Sequence, residues 1–215
     1  MDTSDSKIKF DDNNLCDYCR NFDAKICPSW NDSLKNNNLL DKLSNDIIRE
    51  GKNKDFDCII GLSGGLDSSY AAYVAKEKMG LRPLFFHVDA GWNTDQAVGN
   101  IEKLVNGLDS DLYTEVANWD QVKRMQVAFL RSGIPDQDLV QDAVFFSELY
   151  KFAKKNNVKY VLTGSNYSTE CCVEPEEWGG YVGIDKMLFK NIWDLHGDGK
   201  PNNFPLVDIM VSKIW

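Results

Sequence analysis

An α/β fold with a doubly wound, mostly parallel sheet and helices on both faces is predicted from three observations. Short apolar runs alternate with stretches of helical period along most of the chain. The first run, Phe56–Leu62, is apolar but for Asp57 near its start and Gly61 near its end, as expected of a parallel strand buried on both faces. The runs end in Gly-rich or polar turns, so several loops open along one edge of the sheet, where open parallel sheets bind ligands.

Taken in order, residues 1–32 show little periodicity. Ile8-Lys9-Phe10 reads as a small strand, and Asp11-Asp12-Asn13-Asn14 as a turn. Cys16-Asp17-Tyr18-Cys19 follows, with Cys27 eight residues on. Leu34–Glu50 reads as a helix from Leu39, Leu40, Leu43, Ile47 and Ile48, ended by Gly51. After strand one come a helix over Ser68–Met79 stopped by Gly80, strand two over Arg82–Val88, and a turn at Asp89-Ala90-Gly91-Trp92-Asn93-Thr94. Thr94 is suited to cap a helix over Asp95–Leu108. Strand three spans Leu112–Val116. Helices span Trp119–Ser132 and Leu139–Asn156, and strand four Lys159–Thr163. Beyond Cys171 the period fades, with a helix expected over Asp185–Trp193. Residues 1–50 thus form a Cys-containing N-terminal appendage, and 51–215 the α/β domain.

Bulk properties exclude some classes. At 215 residues and 43% apolar content the chain is long enough for a core. It has no run of 18 apolar residues and no apolar leader, which predicts a cytoplasmic protein without a membrane span. A formal charge of −9 argues against broad nucleic-acid contact but not against a nucleotide site. Without a secretion signal, the six cysteines do not suggest a disulfide framework, and Cys58, inside strand one, reads as a buried thiol.

The chemistry centres on Ser63-Gly64-Gly65-Leu66-Asp67-Ser68-Ser69. The adjacent glycines let the backbone turn sharply and approach a ligand. The first amides of the next helix lack intrahelical partners and face an anion. Ser63, Ser68 and Ser69 add hydroxyls. A carboxylate beside a phosphate is repulsive unless a divalent cation lies between them, so Asp67 points to Mg²⁺. The loop lacks the Gly-Lys-Ser/Thr of a Walker A loop and the Gly-x-Gly-x-x-Gly dinucleotide fingerprint.

This stretch resembles the pyrophosphate-binding loop of the PP-loop ATP pyrophosphatases. Three further stretches resemble the N-acetyl sugar amidotransferases within that group. They are the opening Met1-Asp2-Thr3-Ser4-Asp5 with Cys16-Asp17-Tyr18-Cys19, Phe86-His87-Val88-Asp89-Ala90-Gly91-Trp92-Asn93-Thr94, and Thr163-Gly164-Ser165-Asn166-Tyr167-Ser168-Thr169-Glu170 with Pro175 and Trp178. The resemblance implies transfer of AMP from ATP to the acetamido oxygen of an N-acetyl sugar, nucleotide- or carrier-linked, with release of pyrophosphate. Ammonia from a separate glutaminase subunit then displaces AMP and leaves an acetamidino sugar, in surface-glycan biosynthesis. It also implies ATP and Mg²⁺ as cofactors. Two departures accompany it: family members usually carry another Cys-x-x-Cys pair just before the Met-Asp-Thr-Ser-Asp stretch, where this sequence starts, and they generally extend well past residue 215, so the family's C-terminal extension is expected to be missing here.

By this resemblance Ser63, Gly64, Gly65, Leu66, Asp67, Ser68 and Ser69 hold the pyrophosphate, with Asp67 on Mg²⁺. Val88 and Asp89 lie by the adenine, and Thr163 and Gly164 by the ribose or α-phosphate. Asp67, Asn166, Glu170 and Lys190 are the catalytic candidates. Several residues keep two readings. Asp89 meets adenine or caps its turn, and Trp92 stacks on a ligand or packs in the core. Lys186 and Lys190 are surface lysines, or one of them neutralises pyrophosphate. Glu170 holds metal or merely opens a helix, and His87 is a satisfied strand residue or a base. Cys16 and Cys19 would bind Zn²⁺ with ligands from elsewhere, act as a redox pair, or do neither. Two other functions compete: a tRNA-modifying sulfurtransferase using Cys171 or Cys172, and a non-catalytic ATP-binding scaffold. The apolar Ile214 and Trp215 are compatible with a homodimer.

Overall fold

The computed structural model describes residues 2–28, 38–165, 186–199 and 204. Among the described residues four parallel strands form one sheet: β1 (Cys58–Gly61), β2 (Pro83–Asp89), β3 (Leu112–Val116) and β4 (Val161–Leu162), in the order β3-β2-β1-β4. The chain steps outward from β1 to β3, then returns to the far side of β1 for β4. The order therefore reverses between β1 and β4, which places a ligand crevice beyond their carboxyl ends.

The side-chain period of two puts β1 and β2 into two separate cores. Cys58 and Ile60 of β1 and Phe85 of β2 face one way, into a cluster with Leu62, Ala72, Ala75 and Ile101. Ile59, Leu84, Phe86 and Val88 face the other way, with Val122, Phe129, Val144 and Phe189. The first cluster is covered by α2 (Asn38–Gly51), α3 (Leu66–Tyr73) and α4 (Asp95–Gly107). The second is covered by α5 (Trp119–Ser132), α6 (Leu139–Lys155) and α7 (Lys186–His196). Helices change face where the strand order changes direction, as right-handed crossovers require. Full burial pushes the Cys58 thiol up to about 12, so it stays protonated at neutral pH.

Local signals explain the element ends. Strand β3 and helix α5 occupy the predicted bounds. Thr94 caps α4 by accepting from the Ala97 amide at 3.2 Å, and Asn118 caps α5 through Gln121. Helix α3 opens at Leu66 rather than Ser68, because Gly65 is its cap, and it runs on as a π-helical turn over Val74–Lys78. Strand β4 has only two residues, narrower than the expected Lys159–Thr163. Helix α7 continues past Trp193 to His196. Ile8-Lys9-Phe10 reduces to a single antiparallel bridge between Phe10 and Cys16, before α1 (Asp17–Asn21). On α2 Ile47 enters the core, whereas Leu39, Leu40, Leu43 and Ile48 remain exposed, so most of its apolar stripe is uncovered by the described residues.

An ionic clasp closes the edge of the sheet where the strands begin. Asp57, 4% exposed, accepts from the Arg82 backbone N–H at 2.8 Å and pairs with its guanidinium at 2.6 Å. Arg82 also donates to the carbonyls of Gly51 (2.9 Å) and Lys54 (3.0 Å). One arginine thus joins the end of α2 to the starts of β1 and β2. Replacing Asp57 by Ala strands these donors, although the half-exposed guanidinium can turn partly to water. We expect a loss of about 2 kcal/mol in urea unfolding. A change below a few tenths would show that the clasp does not hold the fold.

Candidate functional site

The loop between β1 and α3 builds the site. Gly64 takes φ +78°, and its Cα packs so closely on α4 that a Cβ would lie 2.5 Å from the Ala97 carbonyl oxygen. The Asn100 side chain of α4 donates to the Gly64 carbonyl at 3.1 Å. The loop is therefore pinned from behind by the helix that follows β2. On its open side the Ser63 N–H donates to Ser68 Oγ (3.3 Å), and the two serine hydroxyl oxygens stand 3.1 Å apart. The Gly65 N–H donates to Ser63 Oγ, and Ser69 Oγ donates to the Gly65 carbonyl at 2.6 Å.

Gly65 has no side chain to cap α3, so the first amides of that helix face outward uncapped. They open on a recess of about 260 Å³ lined by Ser63, Gly65, Leu66, Asp67, Ser68, Gly164 and Ser165. The far wall comes from the loop after β4. Gly164 lies against the Asp67–Ser68 peptide, where a Cβ would meet the Ser68 nitrogen at 2.6 Å. Thr163 Oγ1 and Ser165 Oγ stand 3.4 Å apart on the same loop. The recess thus sits at the reversal of strand order, with a helix N-terminus, hydroxyls and the exposed carboxylate of Asp67 among its described lining residues. Such donors suit a phosphate chain, and the carboxylate suits a divalent cation beside it.

The structure brings some of the sequence candidates together and separates others. Ser63, Gly65, Leu66, Asp67, Ser68 and Gly164 line the recess; Gly64 and Ser69 brace it. Val88 is buried in the core, and Asp89 Oδ1 accepts from the Gly91 N–H at 2.9 Å, so neither is among the lining residues. Lys190 is not among them either: its ammonium pairs with Asp194 one turn along α7. Asn166, Glu170, Cys171 and Cys172 lie outside the described residues, as do Ile214 and Trp215. Trp92 does not pack in the core. It is 54% exposed, edge-on to Trp119 with ring centroids 5.2 Å apart. Trp119, which no sequence signal singled out, joins it because Gly91 lies directly on its ring.

The Cys16 and Cys19 sulfurs approach to 3.4 Å. Cys16 caps α1, and the bond from the Cys19 amide lowers its thiol pKa; sharing a hydrogen bond with Cys16 raises that of Cys19. Two sulfurs make half a tetrahedral zinc set. Among the described residues no third His, Cys, Asp or Glu joins them. No helix of the described residues is long and apolar enough to cross a membrane.

No family model matches the chain. The uncharacterized protein MJ1599 of Methanocaldococcus jannaschii is 28% identical over 109 residues, which cover 51% of this chain and 38% of that protein. Among solved structures, NMN synthetase from Francisella tularensis aligns with a TM-score of 0.43 and 23% identity, over 59% of this chain and 55% of that one. The NH3-dependent NAD synthetase of Campylobacter jejuni aligns at 0.45 and 16%, over 73% and 71%. NAD+ synthetase from Burkholderia pseudomallei aligns at 0.40 and 15%, over 73% and 87%. The chain thus spans well under two thirds of the curated relative and of the first of these structures.

The tight approach of Gly164 makes a direct test of the site. Gly164→Val must push the β4 loop off the Asp67–Ser68 peptide. We expect loss of phosphate-chain binding with a melting midpoint lowered by only a few degrees. Unchanged affinity for ATP or pyrophosphate would show that the recess is not where they bind.

Proposed function

We propose that this chain is an ATP-dependent, pyrophosphate-forming amidotransferase acting on an N-acetylated sugar. The observation that carries the reading is the recess at the β1/β4 reversal, where an uncapped helix N-terminus, the Ser63 and Ser68 hydroxyls and the Asp67 carboxylate converge. The resemblance of Ser63–Ser69 to a pyrophosphate-binding loop supports the same nucleotide.

The β- and γ-phosphates lie on the amides of α3 and the serine hydroxyls, and Asp67 would hold Mg²⁺. The cation offsets phosphate charge when bound. Gly164 faces the α-phosphate from the opposite wall, and Thr163, next to it in the same loop, stands outside the lining. The acetamido oxygen attacks the α-phosphorus, the bond to the β-phosphate oxygen breaks, and pyrophosphate leaves onto the loop. Ammonia then attacks the acetamido carbon, and AMP departs with the former amide oxygen. Loss of a proton from the added nitrogen leaves the amidine. The protein's contribution is alignment of the two reactants and stabilisation of charge on the leaving group. We assign ammonia supply to a glutaminase partner and the sugar to a nucleotide- or lipid-carrier-linked form. The exposed Trp92–Trp119 pair supplies flat aromatic surface for the apolar face of a sugar ring.

The decisive assay is pyrophosphate release with ATP, Mg²⁺, ammonium and a panel of nucleotide-linked N-acetyl sugars. Release should require both sugar and ammonium for sustained turnover. ATP binding without acceptor-dependent release would sink the amidotransferase reading. Asp67→Asn should weaken ATP binding about ten- to a hundred-fold with Mg²⁺ present and little without it; equal loss in both conditions removes the metal role. Trp92→Ala should raise the acceptor KM several-fold at unchanged KM for ATP, and an unchanged acceptor KM would clear the aromatic pair of any part in binding.

A further inference from the structure

We infer that His87 is a positioning residue for the phosphate loop, acting as a neutral, Nδ1-protonated bridge between that loop and the segment after β2. The inference rests on the nucleotide reading of the recess and assigns to it a residue outside its lining. His87 follows Phe85 on the same face of β2, toward α3 and α4, and is 8% exposed. Its Nδ1 lies 2.8 Å from the Leu62 carbonyl oxygen, and its Nε2 lies 3.0 Å from Asn93 Nδ2. A carbonyl only accepts, so Nδ1 carries the proton. The Asn93 amide nitrogen only donates, so Nε2 meets it with its lone pair.

The consequence for the loop is geometric. Leu62 immediately precedes Ser63. Across a trans peptide the Ser63 N–H points away from the Leu62 carbonyl. Holding that carbonyl on the His87 side aims the Ser63 N–H at the recess, where it meets Ser68 Oγ. The other ring nitrogen fixes Asn93, which stands between Trp92 and the α4 cap Thr94. Helix α4 in turn pins Gly64 through Ala97 and Asn100. Phosphate loop and β2–α4 turn are thereby locked from two sides, and the imidazole is the link at the Ser63 end.

The two ring contacts can be separated. The side-chain amide of Asn overlays imidazole Nδ1, and that of Gln overlays Nε2. His87→Asn should keep the bond to Leu62, and His87→Gln should lose it. Calorimetric titration with Mg²⁺-ATP should give His87→Asn within about threefold of wild type. His87→Gln and His87→Ala should be weaker by about tenfold. Thermal midpoints measured beside the titrations separate this order from plain destabilisation, which should follow burial and not the position of the amide. Imidazole ¹⁵N NMR of the nucleotide-free protein should show His87 protonated at Nδ1 only. A His87 protonated at Nε2 would overturn the inference. So would Asn and Gln variants of equal affinity when wild type binds ATP, the nucleotide reading then standing. A folded wild type that binds no ATP would remove the nucleotide reading, and the positioning role with it.

Discussion

Strand β1 is held on both edges and both faces, and the rest of the molecule is arranged by that constraint. Its backbone pairs with β2 on one side and β4 on the other, and its side chains feed two cores alternately. A strand so enclosed has no freedom of register, since a slip of one residue would exchange Ile59 with Cys58 and Ile60 between the two cores. The loop that leaves it is therefore delivered to a fixed place. Gly64 can rest directly on α4, and Gly164 on the start of α3, because neither backbone has room to drift.

The recess gains its character from what surrounds an undecorated helix end. Gly65 brings no capping group, so the task of satisfying the first amides of α3 falls to whatever occupies the recess. Ser63 and Ser68 meanwhile satisfy one another, an arrangement that an incoming phosphate oxygen can replace bond for bond.

Much of this was legible in the sequence where the signal is local. Leu112–Val116 and Trp119–Ser132 carry their signals within themselves, Phe56–Leu62 marks a strand that the structure narrows to Cys58–Gly61, and the glycine-serine stretch announces a tight polar turn. What depends on topology was not legible. The start of α3 lies two residues before the expected Ser68, because its cap, Gly65, has no side chain to signal it. Trp119 opens a helix 27 positions from Trp92, and only the pairing of β2 with β3 brings the rings together. His87 could be placed on a strand, but its partners Leu62 and Asn93 are set by the sheet and the following turn. Lys190 shows the reverse: Asp194, four residues on, already offered an ordinary helical ion pair.

The Asp57–Arg82 clasp has a consequence for how such a chain can diversify. It closes the end of the sheet where strands begin, whereas the recess opens where they end. Substitutions at these two places share no partners, and their effects on free energy should add. Cohesion is thus stored at one pole and recognition at the other. A lineage can rework the loops that meet a substrate while drawing on a reserve of stability that those changes do not touch.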